Sequence, residues 1–145
     1  ADVTVTDNSV TVRPSDLHSI TLDCTDIPDL VPILATTACA AAGTTKFTGV
    51  ERLRIKESDR LAAIVENITA LGGIAKAGKD ELIIEGHPLR GGRVSGHGDH
   101  RMVMSAAIAA LLCTNPVTID GSDAVKKSYP GFFEHLIKLG GKYHV

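Results

Sequence analysis

Tryptophan is absent from this 145-residue sequence, and two tyrosines and three phenylalanines are its only aromatic residues. So few flat rings exclude a stacking surface for single-stranded nucleic acid. They also leave the core to Ala, Val, Ile and Leu. An excess of positive charge is missing too: 15 Lys and Arg stand against 17 Asp and Glu, for a net charge of −2. With no basic tail either, the composition argues against a nucleic-acid partner. The most apolar stretch, Met102 to Cys113, is too short to cross a bilayer, and no signal peptide is visible. Cysteine is scarce. Cys24, Cys39 and Cys113 are odd in number, far apart and without zinc spacing, so they read as reduced and buried, with a cytoplasmic location expected. The sequence opens on Ala1-Asp2-Val3 without Met, directly in a strand-like pattern, and upstream sequence is expected.

Apolar residues make up 43% of the sequence and charged residues 22%, the balance of a globular domain. Val3–Val5 and Val10–Val12 alternate around Asp7-Asn8-Ser9 and predict a hairpin. Ser19–Leu22, Thr44–Phe47, Leu53–Ile55, Leu82–Ile84 and Val117–Ile119 read as strands, and Arg90–Val94 leads through a turn toward another. Helices are predicted from Asp29 to Ala42 before Gly43, from an N-cap at Ser58 to Gly72-Gly73, from about Arg101 to Leu112, and from Gly131 to Leu139 with Pro130 at N1. Leu61, Ile64, Val65, Ile68 and Leu71 form the buried stripe of the second helix. Helix starts near 29, 58, 100 and 130 suggest a repeated α/β unit.

Polar residues gather at these helix starts, where free backbone N–H groups and a partial positive charge make anion sites. Lys and Arg oppose the helix dipole there, so a basic residue either swings into solvent or is held for an anionic ligand. Lys56-Glu57-Ser58-Asp59-Arg60 puts two cations one turn apart with a candidate acid or base beside them. On spacing alone the readier reading is a solvated helix start with internal ion pairs, since charged helix starts are common. Gly98-Asp99-His100-Arg101 offers a flexible approach, a capping Asp and two anion partners. His97, Asp99 and His100 permit a metal reading, which lacks a third strong ligand pattern. Lys126-Lys127-Ser128-Tyr129-Pro130 and Asp26-Ile27-Pro28-Asp29 precede two further helices, and Asp29 by itself reads as an N-cap. Together the clusters suit a substrate bearing phosphate and carboxylate.

In these blocks the sequence resembles the EPSP synthase family of enolpyruvyl transferases. Arg54-Ile55-Lys56-Glu57-Ser58-Asp59-Arg60-Leu61 is similar to that family's signature, and Gly98-Asp99-His100-Arg101-Met102 to its second block. Asp26–Asp29 and Lys127–Pro130 match two more, in order and at the right spacing. The resemblance spans the whole chain and about the last third of a family member. It implies an α/β (α+β) fold of repeated βαβαββ units, an inside-out, barrel-like domain with helices inward and sheets outward. It implies transfer of the enolpyruvyl group of phosphoenolpyruvate to the 5-hydroxyl of shikimate 3-phosphate through a tetrahedral intermediate, with no metal or organic cofactor.

By the same resemblance, Asp29 contacts the shikimate hydroxyls and is acid/base at the 5-hydroxyl, and Glu57 handles the proton at the methylene. Lys56 lies near both substrates. Arg60, His100, Arg101 and Lys127 bind the phosphate and carboxylate of phosphoenolpyruvate, where glyphosate competes. The family often has Asn four residues before the signature Lys; Arg52 stands there, which leaves that contact unassigned. The resemblance also implies an N-terminal domain, absent from residues 1–145, that supplies the other wall of the cleft, so this portion alone is expected to lack turnover. Two other readings are the sister transferase acting on UDP-N-acetylglucosamine, against which the Lys-Glu-Ser-Asp-Arg run argues, and a non-catalytic anion-binding module.

Overall fold

The structure is a computed structural model, and it describes residues 1–144. Strand β1 (Asp2–Val5) and strand β2 (Val10–Arg13) form the expected antiparallel hairpin, with Val3 opposite Val12 and Val5 opposite Val10. All eight residues are exposed, so the four valines share one uncovered face.

Six elements then follow in the order of a βαβαββ unit: β3 (Thr21–Asp23), α1 (Val31–Ala38), β4 (Thr44–Thr48), α2 (Arg60–Ala70), β5 (Ile74–Ala77) and β6 (Glu81–Glu85). The sheet order is β3-β4-β6-β5, parallel between β3 and β4 and antiparallel elsewhere. The helical crossover α1 is what permits the parallel pair. A second run, β7 (Gly92–Ser95), α3 (His100–Ala109), β8 (Val117–Asp120) and α4 (Phe132–Lys138), repeats the unit's first four elements, with β7 parallel to β8.

Helices α1, α2 and α3 pack on one another, and the sheets lie outside them. Seven of the ten α3 residues are buried, including Met102, Val103, Ala106, Ala107 and Ala109. Small side chains let α1 approach α3: Ala35 and Ala38 face the same core as Ala106 and Ala109, and the Thr36 hydroxyl donates to the Ser105 carbonyl at 3.4 Å. In the four-stranded sheet, Thr45 and Phe47 of β4 and Leu82 and Ile84 of β6 turn inward, while their neighbours face out. Full burial of side chains such as Leu61, Leu82 and Phe47 stabilises the fold by ~1.5–3 kcal/mol each.

Several boundaries differ from the sequence expectation. Leu53–Ile55 is not a strand but part of a 3₁₀ turn, Glu51–Ile55. The apolar residues that matter there are Val50 and Leu53, both fully buried and three apart, which is the 3₁₀ repeat. The first helix ends at Ala38 rather than Ala42 because other segments capture the next backbone groups: Cys39 O accepts from His87 N at 3.0 Å, and Ala42 N donates to Leu17 O at 2.8 Å. Pro130 precedes the N-cap Gly131 instead of occupying N1 of α4. The half-exposed edge strand β5 carries too weak an alternation to be expected. Cys24 and Cys39 are buried as expected, Cys113 only partly, and all three are free thiols. Among the described residues, no helix is long and apolar enough to cross a membrane.

Candidate functional site

Helices α1, α2 and α3 begin at the same end of the molecule, and the charged motifs meet there. Asp29 reaches the site from a 3₁₀ turn, Pro28–Leu30, that leads into α1. It caps neither element. Asp59, not Ser58, caps α2: its carboxylate accepts from Ala62 N at 2.9 Å. That leaves the Ser58 hydroxyl to donate to Asp99 Oδ2 at 3.3 Å. Asp99 caps α3 as expected, accepting from Arg101 N at 2.9 Å. The loop before it turns through His97 (φ 50°) and Gly98 (φ 65°). Two successive left-handed residues explain the glycine and make His97 an uncommon non-glycine case.

Arg60 lies at the centre and is fully buried. Its Nε donates to Asp99 Oδ2 at 2.7 Å, Nη1 to Asp29 Oδ1 at 2.8 Å, and Nη2 to Glu57 Oε2 at 2.6 Å. A longer bond runs from Nη2 to Asp99 Oδ1 at 3.4 Å. Asp29 carries two more cations: Arg101 Nη2 lies 3.0 Å from Oδ2, and Lys56 Nζ lies 3.5 Å from Oδ1. Three carboxylates therefore face three cations, and the side chains of Asp29, Glu57, Lys56 and Arg101 all keep an open surface.

Electrostatics follow from this packing. Burial raises the Asp29 carboxyl, but the Arg60 hydrogen bond and the charges of Arg101, Lys56 and Arg60 outweigh it and hold the group below its ordinary value. Asp29 is thus ionised at neutral pH, with part of its surface open. For Asp99 burial again raises, and the Arg60 bond, the Arg101 N–H and the Arg60 charge lower by more. Arg60 itself is raised: burial lowers it, and the hydrogen bonds it donates to Asp99 and Asp29 overcome that.

His100, at the first turn of α3, is 8% exposed, and its Nδ1 has no hydrogen-bond partner. An unpartnered buried imidazole nitrogen at a helix N-terminus is a feature a ligand would complete. Lys127 ends a 3₁₀ turn, Ser122–Lys127, packed on α3; it is exposed and forms no ion pair among the described residues. Arg52 is exposed and likewise without a polar partner among the described residues. For the metal reading of His97, Asp99 and His100, Asp99 is already occupied by Arg60, Ser58 and Arg101 N–H, and the described residues hold no cluster able to grip a metal ion.

The motifs at 29, 56–60 and 99–101 thus come together as the spacing suggested. Sequence reading missed Asp99 and Ser58 as members of the site. The available signal was weak: Asp99 had a sufficient explanation as a cap, and nothing local shows that an arginine 39 residues away is buried against it.

The profile of the EPSP synthase family (3-phosphoshikimate 1-carboxyvinyltransferase) matches residues 1–136. The chain is 45% identical over 141 residues to the 3-phosphoshikimate 1-carboxyvinyltransferase of Clostridium acetobutylicum, covering 97% of this chain and 33% of that protein. It is 43% identical over 134 residues to the transferase of the same name from Natronomonas pharaonis, covering 92% and 31%. Among solved structures, EPSP synthase from Acinetobacter baumannii superposes with a TM-score of 0.80 at 33% identity, over 85% of this chain and 30% of that one. The enolpyruvyl transferase NikO from Streptomyces tendae also gives 0.80, over 97% and 33%, and at 22% identity shows the shared fold alone. The chain spans about a third of the length of the curated relatives it matches.

Proposed function

Because the chain belongs to the EPSP synthase family, we propose that it forms one wall of the active-site cleft of a transferase that moves the enolpyruvyl group of phosphoenolpyruvate to the 5-hydroxyl of shikimate 3-phosphate. The observation that carries this reading is the convergence of Asp29, Glu57, Lys56, His100 and Arg101 at the starts of three helices, two of these residues carboxylates with accessible faces. The reaction needs a base at the hydroxyl and an acid at the enol methylene. Asp29, ionised and open, takes the proton of the 5-hydroxyl as its oxygen bonds to the enolpyruvyl carbon. Glu57 delivers a proton to the methylene and recovers it as the carbon–oxygen bond to phosphate breaks, and the departing phosphate takes the proton held by Asp29.

Lys56, Arg101, His100 and Lys127 face the phosphate and carboxylate charges and stabilise the departing phosphate. The remaining two-thirds of the relatives' length would supply the opposite wall, so residues 1–145 alone give no turnover. No step requires a metal or an organic cofactor.

A chimera tests the reading: the matched residues of this chain replace the matched third of the C. acetobutylicum transferase, and phosphate release from both substrates is measured. Turnover is expected, and Glu57→Gln within the chimera should lower kcat by about 10²–10⁴-fold with substrate binding kept. A folded chimera that binds both substrates yet releases no phosphate would refute the assignment, as would undiminished turnover in E57Q. The latter is what a non-catalytic anion-binding module predicts.

A further inference from the structure

The 3₁₀ turn Glu51–Ile55 repeats every three residues, so its side chains, with Val50 before it, sort onto three faces. Val50 and Leu53 form the inner face and are fully buried in the core. Glu51 and Arg54 lie on the second, which is fastened to the turn between β5 and β6. Glu51 N donates to Asp80 Oδ1 at 2.8 Å, Arg54 Nη2 donates to the Gly78 carbonyl at 2.8 Å, and Arg54 Nη1 lies 3.4 Å from Asp59 Oδ2. Arg52 and Ile55 form the third face, and no described residue covers it. Arg52 is exposed without a polar partner, and Ile55 is 84% exposed.

A single exposed isoleucine is ordinary on a protein surface. This one stands on a turn pinned from two sides, directly before Lys56. Lys56 Nζ lies 3.5 Å from Asp29 Oδ1, and Leu30, the residue after Asp29, is 47% exposed. Each partner of the Lys56–Asp29 contact thus has a bare apolar side chain beside it in the chain, at the edge of the candidate site. One 3₁₀ repeat before Ile55 stands an arginine that nothing neutralises. Lys56 and Arg54 already have carboxylates, so the uncommitted charge of this face is positive, and a surface with an acidic rim fits it better than a basic one.

We propose that Arg52 and Ile55 form a seat for the opposite wall of the cleft, a segment of the same polypeptide outside residues 1–145. Ile55 enters an apolar socket on that wall, and Arg52 pairs with a carboxylate beside the socket. That there is an opposite wall rests on the transferase reading above, in which this chain is about a third of the whole. Because the seat borders Lys56, contact there also removes water from the edge of the Lys56–Asp29 pair, which strengthens that attraction.

A cross-link tests the placement. In the chimera, Ile55→p-benzoylphenylalanine puts a photoreactive ketone on this face, and its insertion sites are mapped by mass spectrometry without and with both substrates. Insertion within one molecule into the part that comes from the C. acetobutylicum transferase supports the seat. Insertion confined to this chain's own residues, a dimer-sized product that marks a second copy as the occupant, or no insertion under either condition overturns it. Arg52→Glu in the same chimera should lower the yield of that cross-link about threefold, the scale of one exposed ion pair. An unchanged yield overturns the pairing of Arg52, and a raised KM for shikimate 3-phosphate alongside it assigns the arginine to the substrate instead.

The 145-residue chain supplies a second measurement. Arg52→Glu and Ile55→Ser should each leave its Tm within about 2 °C of the parent, since neither side chain is packed. A larger fall would mean that the face is covered from within the chain, and overturns the seat. The cross-link needs no turnover: a chimera that links across the cleft but releases no phosphate sinks the transferase reading and leaves the seat standing.

Discussion

Replacing Arg60 by Gln keeps the approximate length of the side chain and removes its charge. Asp99, with no exposed surface, then loses the one cation that lies at hydrogen-bond distance among the described residues. Breaking a buried ion pair from one side costs about 3–5 kcal/mol, because the remaining charge is left uncompensated. Against a domain stability of roughly 5–15 kcal/mol this is a large share. At this chain length it corresponds to a fall in Tm of roughly 10–20 °C.

The pH dependence carries the sharper signature. In the parent, Asp99 is held below its ordinary value, so its contribution is present above the unfolded value near ~4 and lost as pH falls through the folded one. In R60Q the Arg60 contribution to holding the carboxyl down is lost, only the Arg101 N–H and His100 still oppose burial, and the carboxyl moves upward. Ionised Asp99 then destabilises the variant at neutral pH, and protonation relieves it as pH falls. Urea denaturation of both chains at pH 7 and at pH 4 should show a wide gap that narrows on acidification. A gap under about 1 kcal/mol at pH 7, or one that is flat between the two pH values, would refute the picture of a buried charge hub.

Acid should unfold the parent chain cooperatively only below the ordinary carboxylate range, since both Asp29 and Asp99 are lowered; circular dichroism along a pH series checks this. Gly86→Ala should prevent stable folding, because a Cβ there would sit 1.7 Å from the Ala41 carbonyl oxygen, and soluble yield with a near-native spectrum would contradict the packing. Gly98→Ala meets no neighbour but keeps a φ of 65°, so a milder loss of about 1–2 kcal/mol is expected by the same denaturation assay. Cys39, buried and pushed up to about 11, should resist a thiol reagent at neutral pH until the chain is unfolded, whereas the partly exposed Cys113 should label first.

The sequence revealed the parts of this fold that have a period or a punctuation mark. The stripe of α2 and its stop at Gly72-Gly73 follow from side-chain spacing and from glycine's freedom, and both are local. Where the structure departs from expectation, a distant partner decides. The end of α1 is set by bonds to Leu17 and His87, and the shift of the α2 cap from Ser58 to Asp59 by a bond from Ser58 to Asp99. The site behaves likewise. Motif spacing singled out Lys56 and Arg101, whose positive charge opposes the dipole at a helix start, with Glu57 beside Lys56, whereas Asp29 is an ordinary acid for its position and entered through the family resemblance. Asp99 is an ordinary residue for its position, and only tertiary burial makes it a partner of Arg60.

The alanine seam between α1 and α3 has a mechanical consequence for chemistry at its far end. Interaxial distance follows the size of the side chains between two helices. Asp29 leads into one of these helices and Arg101 starts the other, joined by a contact of 3.0 Å. The seam is therefore a gauge block. A bulkier residue at Ala35 or Ala106 would jack the helices apart, and the displacement would be delivered along two stiff rods to the carboxylate. The bore of the candidate site is machined by methyl groups that lie outside it.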